Sequence, residues 1–132
     1  MVRARWEVRP DFIDNWLDSL PDDVYDAVLA AIEYLAEQGP TCGRSFVDTI
    51  SRSRYKNMKE LRPREKSAAK NIRILFAFDP RRRAIFLVAG DKTSQWNKWY
   101  DRNIPLAETR FEQHLRDLLE GLQQNPFYPE PF

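Results

Sequence analysis

Residues 71–90 read NIRILFAFDPRRRAIFLVAG, and the fold turns on this stretch. Ile72, Ile74, Phe76 and Phe78 occupy alternate positions and share one face of a strand; Arg73, Leu75 and Ala77 take the other. Asp79-Pro80-Arg81-Arg82-Arg83 is a turn rich in proline and charge. Ala84 to Gly90 then forms an almost continuous apolar run, the pattern of a strand covered on both faces. Two adjoining strands of this kind predict the centre of an antiparallel sheet.

Outward from this pair the pattern is uneven. Asn57 to Arg62 predicts a neighbouring strand, and Arg64 to Lys70 (REKSAAK) a charged connector. Thr41 to Tyr55 has small, polar and basic residues without a period and predicts a loop. Near the N-terminus Ala4, Trp6 and Val8 alternate with charges, so a first strand is expected, ended by Pro10. Phe12, Ile13, Trp16, Leu17 and Leu20 recur at helical spacing. Val24, Val28, Ala31, Ile32 and Leu35 form the stripe of a second helix, opened by Pro21-Asp22-Asp23 and stopped by Gly39-Pro40. The two predict a helical hairpin. After Gly90, Trp96, Trp99 and Tyr100 start a helix that Asn103-Ile104-Pro105 is expected to break, with Phe111, Leu115, Leu118 and Leu122 continuing beyond. The expected architecture is α+β: a small antiparallel-type sheet packed by an N-terminal helical hairpin and C-terminal helices. One domain over residues 1–121 is expected, followed by a Pro/aromatic tail over 122–132.

Charge is divided sharply along the chain. Between Gly43 and Lys98 there are fifteen Lys/Arg and five Asp/Glu, while the remainder carries six basic and fifteen acidic residues. A formal net charge of +1 therefore conceals a strongly basic segment. Such a segment favours polyanions, of which a phosphate backbone is the commonest. With 42% hydrophobic and 13% aromatic residues the chain can bury a core. The single Cys42 leaves no internal disulfide, and no apolar leader or membrane-length run is visible, so a cytoplasmic, non-membrane protein is expected.

Glycine-rich phosphate loops, Gly-x-Ser-x-Gly elbows and a His/Cys zinc set are missing from the pattern; one His and one Cys do not make such a site. No cofactor or metal is expected. Cations and aromatics gather instead around the strands: Lys56, Lys59, Arg62, Arg73, Lys92, Lys98, Trp96, Trp99 and Tyr100. Cleaving RNA without a metal requires deprotonating a 2′-hydroxyl, stabilising a phosphorane and protonating the leaving 5′-oxygen. Lys and Arg stabilise the charge, and a desolvated Lys or Tyr shifts its pKa toward proton transfer. One well-placed cation is worth on the order of 3 kcal/mol of barrier.

Each candidate has a plainer reading. Arg73 interrupts an apolar pattern and needs either a carboxylate such as Glu60 or a solvated groove. Lys92, leaving the most buried strand, is otherwise a surface lysine beside Asp91. Lys59 and Arg62 belong to opposite faces of a strand and otherwise form a solvated edge. Trp96 and Trp99 at helical spacing fit a core as well as base stacking, whereas the Tyr100 hydroxyl needs a partner. Arg81, Arg82 and Arg83 form a solvated tip or attract RNA at long range. His114 is a helix-surface or core-edge residue, and Cys42 a loop residue.

Lys56 to Arg62 (KNMKELR), Ile72 to Pro80 (IRILFAFDP), Leu87 to Thr93 (LVAGDKT) and the later Trp99-Tyr100 together, in this order, resemble the phage-derived Gp49-like/HigB group of the RelE toxin superfamily. The resemblance covers roughly residues 56–100. It implies a RelE-like fold and the toxin of a type II toxin–antitoxin module: a metal-independent mRNA endoribonuclease that inhibits translation, in many cases at the ribosome. Its usual partner is a helix-turn-helix, HigA-like antitoxin. The strand arginine and the basic residue after the last strand match Arg73 and Lys92; Tyr100 matches more loosely. Lys59 and Arg62 join them as candidate catalytic residues, and Lys56, Arg81, Arg82, Arg83, Lys98 and Trp96 as candidate RNA contacts. The single His114 lies outside the matching segment, so the catalytic histidines of some HigB toxins have no counterpart here. Two other classes stay open: a non-catalytic nucleic-acid-binding or antitoxin-tethered regulatory module, and an interaction domain whose basic face docks an acidic protein.

Overall fold

The computed structural model describes residues 5–43 and 46–124, with side chains through Gly121. Five strands form one sheet: β1 (Glu7–Arg9), β2 (Val47–Thr49), β3 (Met58–Leu61), β4 (Ile72–Phe78) and β5 (Arg83–Asp91). Their spatial order is β1-β5-β4-β3-β2, with the quoted stretch supplying the inner pair β4 and β5. The α+β class and the central antiparallel pair are as expected. The sheet is mixed, however, because β1 adds to β5 in parallel through Val8↔Ala84. A strand of three residues carries no signal for its direction; docking of Trp6, whose N–H donates to Ala36 O at 2.8 Å, sets it.

Helices cover both faces. Helix α1 (Asp14–Asp18) follows one 3-10 turn, and α2 (Asp22–Gln38) lays Val28, Ala31 and Leu35 against Ile74, Phe76 and Phe86. The first arm of the expected hairpin is thus far shorter than the second. Gly39 ends α2 with φ 58°, and a Cβ there would stand 2.3 Å from the Trp6 indole. On the other face α3 (Trp96–Gln124) lays Trp99, Ile104, Ala107 and Phe111 against Leu75, Ala77, Ile85 and Leu87.

Two expectations need correction here. The loop expected over Thr41–Tyr55 contains β2, an edge strand too short to show a period, held by Val47↔Leu61 and Thr49↔Lys59. Pro105 does not break the helix: α3 runs through it. Proline deletes one main-chain bond, yet Ile104 and Ala107 on either side are buried, and the Asn103 amide donates to Trp99 O at 2.8 Å. Packing outweighs the local penalty. Helix α3 runs on to Gln124, past residue 121 where the domain is expected to end, and residues 125–132 of the expected tail lie outside the described ones. His114 meets its core-edge expectation: Nε2 lies 2.9 Å from Asp79 Oδ2. Burial pushes the Asp79 carboxyl up, but hydrogen bonds from His114 and Arg83 outweigh it and hold it below its ordinary value. No described helix is long and apolar enough to cross a membrane.

The strand register has one irregularity that matters for the site. Leu75 pairs with Val88, whereas Phe76 pairs with Phe86, so Leu87 is an extra residue on β5. Leu87 and Val88 consequently both join the α3-side core. Beyond the bulge the alternation is inverted, and Gly90, opposite Arg73, faces α3.

If packing alone carries α3 past its proline, Pro105→Ala restores a main-chain bond at an exposed position and stabilises the protein by about 1–3 kcal/mol. Thermal unfolding checks this. An unchanged or lower Tm would mean that the helix geometry depends on the proline.

Candidate functional site: a cationic cavity at the end of the central hairpin

The bulge sets where the basic residues point. Ile72 pairs with Asp91, and Lys92 N donates to Asn71 O at 3.1 Å, so Lys92 stands opposite Asn71 and on the same face as Arg73. Asp91 Oδ1 accepts from the N–H and the hydroxyl of Thr93, closing a tight turn around Lys92. Lys92 O then accepts from the N–H groups of Gln95 and Trp96, which starts α3. The segment GDKT is therefore a strand end and a turn, with Lys92 O accepting the bonds that lead into α3 at Trp96. Gly90 is required there because a Cβ would meet Trp99 Nε1 at 2.7 Å.

Arg73 and Lys92 line one cavity of about 630 Å³ together with Arg62 and Lys70. Pro63, Asn71 and Trp96 complete its wall, and Glu65 is its one acidic lining residue. Four cations against one carboxylate make it a receptor for anions. Beneath it, Arg73 Nε lies 3.4 Å from Glu60 Oε1, both side chains being about nine-tenths buried. Arg73 Nη1 donates to the carbonyls of Lys70 and Ile72 at 2.9 and 2.8 Å. Nε itself has no hydrogen bond. The guanidinium is thus fixed in direction by the carbonyls of Lys70 and Ile72 and by Glu60. Tyr100 Oη donates to the same Glu60 oxygen at 3.2 Å.

Lys92 is 4% exposed, so it is not the surface lysine of the plainer reading. Its Nζ sits 3.4 Å from the Trp96 ring centre and 5.5 Å from that of Tyr100. Burial lowers its pKa below the ordinary lysine value; Arg73 and Arg62 lower it further, and Glu60 opposes them. Tyr100 moves the other way: burial, the Glu60 charge and the bond to Glu60 push its hydroxyl up to about 12, against the effect of Arg73. One lysine is thus readied to give up its proton, and one phenol is held protonated.

The other candidates are distributed as follows. Arg62 lines the cavity and lies 3.9 Å from Asp48. Lys59 projects to the opposite face of β3, where its ammonium donates to Thr49 Oγ1 at 3.0 Å. Lys56 is exposed in the turn before β3. Lys98 lines a separate shallow recess beside Arg102. Arg81, Arg82 and Arg83 stand at the far end of the β4–β5 hairpin, roughly 20 Å from Arg73 by strand rise. There Arg83 pairs with Asp79 at 2.9 Å and Arg82 lies over the Trp6 ring. Trp99 is core as expected, but Trp96 is not: it is 57% exposed, because the start of α3 carries it over the cavity. Lys70 and Asn71 were missed. The only available signal was their place just before β4, which becomes informative once residue 92 is known to pair with residue 71. Cys42 is buried, and burial raises its thiol pKa. No group of three His, Cys, Asp or Glu side chains suited to a metal occurs among the described residues.

The family model for phage derived protein Gp49-like matches residues 15–112, which include every residue lining this cavity. The chain belongs to the phage derived Gp49-like family. Two Mycobacterium tuberculosis proteins are similar to it. "Putative toxin HigB2" is 48% identical over 110 residues, covering 83% of this chain and 54% of the relative. "Putative toxin HigB3" is 48% identical over 103 residues, covering 78% and 87% respectively. The chain thus spans about half the length of the first relative and most of the second. No solved structure matches it. This Gp49-like chain is thus similar to two proteins carrying the name "Putative toxin HigB", in line with the resemblance of its motifs.

Because its folded pKa is lowered, Lys92 opposes folding wherever it is charged, and the penalty fades as pH rises through that lowered pKa toward the ordinary 10.5. Lys92→Met keeps the aliphatic stem and removes the buried charge. Its Tm at neutral pH is expected to equal or exceed the parent's, with a flatter rise toward alkaline pH. A marked fall in Tm would show that the contact with Trp96 outweighs desolvation.

Proposed function

We propose that this chain is the toxin of a type II toxin–antitoxin system and acts as a metal-independent, ribosome-dependent mRNA endoribonuclease in the cytoplasm. The observation that carries this reading is the single cavity in which Arg62, Lys70, Arg73 and Lys92 converge. Family membership and two relatives named as HigB toxins support it. By the same reading its cognate partner is a helix-turn-helix antitoxin of the HigA type.

The chemistry is transesterification at one phosphodiester. The scissile phosphate enters the cavity, where Arg73, aimed by Glu60 and by the carbonyls of Lys70 and Ile72, meets a non-bridging oxygen. Its charge stabilises the phosphorane as negative charge accumulates. Lys92, its pKa lowered by burial and by Arg73, accepts the 2′-hydroxyl proton in its neutral form. The 2′-oxygen forms a bond to phosphorus, the bond to the 5′-oxygen breaks, and a 2′,3′-cyclic phosphate remains. Tyr100, protonated across the neutral range with its ring centre 5.5 Å from Lys92 Nζ, is assigned as proton donor to the departing 5′-oxygen, although it lines the neighbouring recess with Thr49 and Asn97 rather than the cavity itself. Arg62 and Lys70 hold neighbouring phosphates, and Trp96 at the rim offers a ring to a base.

Arg73→Ala and Lys92→Ala should each lower cleavage by on the order of a hundredfold and abolish growth arrest on expression, while the proteins still fold. Primer-extension mapping of transcripts after brief induction, in parent and variant strains, reads this directly. Full toxicity in both variants would remove these residues from the site. Salt-sensitive RNA binding with intact transcripts, ribosomes included, would favour the non-catalytic binding module instead. With Lys92 as base, the cleavage rate should rise with pH through the lowered lysine pKa and then level; a rate independent of pH would assign the base elsewhere.

A further inference from the structure

The acidic part of the chain has no role in the cavity. From Pro10 to Gly43 there are eight Asp/Glu and no Lys or Arg. This segment builds α1 and α2, on the face of the sheet opposite α3. Between them and β1 lies an apolar groove of about 240 Å³, lined by Val8, Pro10, Leu17, Tyr25, Leu29 and Ile32. Tyr25 and Leu29 are 39% and 36% exposed although large and hydrophobic. Tyr25, Leu29 and Ile32 stand at i, i+4 and i+7 on α2 and form one stripe. Asp22, Asp26 and Glu33 run alongside it on the solvent side, and Asp14 and Asp18 flank Leu17 on α1. None of these five carboxylates pairs with a cation among the described residues. Arg9, next to Val8 in sequence, is held by Glu7 and Asp11 and lines a recess on the α3 side with Arg83, Ile85 and His114. β1 is the outermost strand, so the groove lies at the sheet edge.

We propose that this groove is a docking site for a basic amphipathic helix of a partner protein, with apolar anchors in the groove and Lys/Arg against the two carboxylate rows. Charge selects the occupant: an apolar groove walled by carboxylates on both sides repels an acidic helix and attracts a basic one. The groove shares no residue with the cationic cavity, so one molecule can hold a basic protein segment and an anionic substrate at once. The proposal does not depend on the catalytic reading.

The test uses the full chain and two labelled helical peptides, one of Lys and Leu in amphipathic register and one with Glu in place of Lys, followed by fluorescence anisotropy. The parent should bind the Lys peptide and not the Glu peptide. Leu29→Asn, at an exposed position, should weaken binding by about tenfold or more with an unchanged circular dichroism spectrum. The combined Asp22→Lys, Asp26→Lys and Glu33→Lys variant should lose the Lys peptide by on the order of tenfold and gain the Glu peptide. Arg73→Ala should bind as the parent does, which keeps this result separate from any failure of the catalytic reading. Binding that ignores Leu29→Asn would reduce the interaction to diffuse charge and overturn the proposal. Displacement of the Lys peptide by a synthetic peptide of residues 125–132 would make the chain's own tail the occupant. A Leu29-dependent dimer in sedimentation would assign the groove to a second copy. Either result overturns it too.

Discussion

The pairing of β4 with β5 carries one extra residue, and the site depends on it. Strand side chains alternate, so a single inserted residue exchanges faces for everything beyond it. With Leu87 inserted, Leu75 faces Val88, Arg73 faces Gly90 and Asn71 faces Lys92. Without it, Gly90 and Lys92 would turn toward α2, and Asp91 would take the place beside Arg73. The bulge also lets Leu87 and Val88 share the α3-side core, so its cost is offset by buried apolar area.

Around that register the cations are organised by one carboxylate. Glu60 takes Arg73 Nε at 3.4 Å and the Tyr100 hydroxyl at 3.2 Å, and its charge partly opposes the lowering of the Lys92 pKa. It orients the guanidinium and keeps the phenol protonated. Among the described residues no carboxylate forms an ion pair with Lys92; the aromatic faces of Trp96 and Tyr100 lie against it, which leaves the desolvation penalty largely in force. A lysine in that state is poorly placed for stability and well placed for proton transfer, the usual relation between stability and function in a site.

The cationic cavity and the acidic helix pair lie apart, although α3 also carries acidic residues, Asp101, Glu108, Glu112, Asp117 and Glu120 among them. Of the basic segment, Arg62, Lys70, Arg73 and Lys92 converge at one end of the hairpin, while Arg82 and Arg83 stand at the other beside Trp6 and Asp79. The acidic segment supplies α1 and α2 on the opposite face. A net charge near zero for the whole molecule thus hides a local cationic cavity and a local acidic helix pair, which attract an anionic ligand and a basic ligand respectively.

How much of this was legible depended on how local each signal is. Period two marked β4 and β5, period 3.6 marked α2, and Gly39 marked its end, because such patterns follow from neighbouring residues alone. The motifs around Arg73 and Lys92, and their resemblance to the Gp49-like group, were likewise present in the linear order. The burial of Lys92, the exposure of Trp96, the separation of Arg81–Arg83 from the cavity and the recruitment of Lys70 and Asn71 were not. Each depends on which residue lies across the sheet or over the strand end. The parallel docking of β1 and the passage of α3 through Pro105 are alike: tertiary packing overrides weak or contrary local preference. By itself the sequence determined the central strands, helix α2, the division of charge and the family, since periodicity and composition are written into consecutive residues. Only the tertiary structure decided that Arg73 and Lys92 share a cavity, because one bulged residue sets the faces of a strand and no local pattern records the register of its partner.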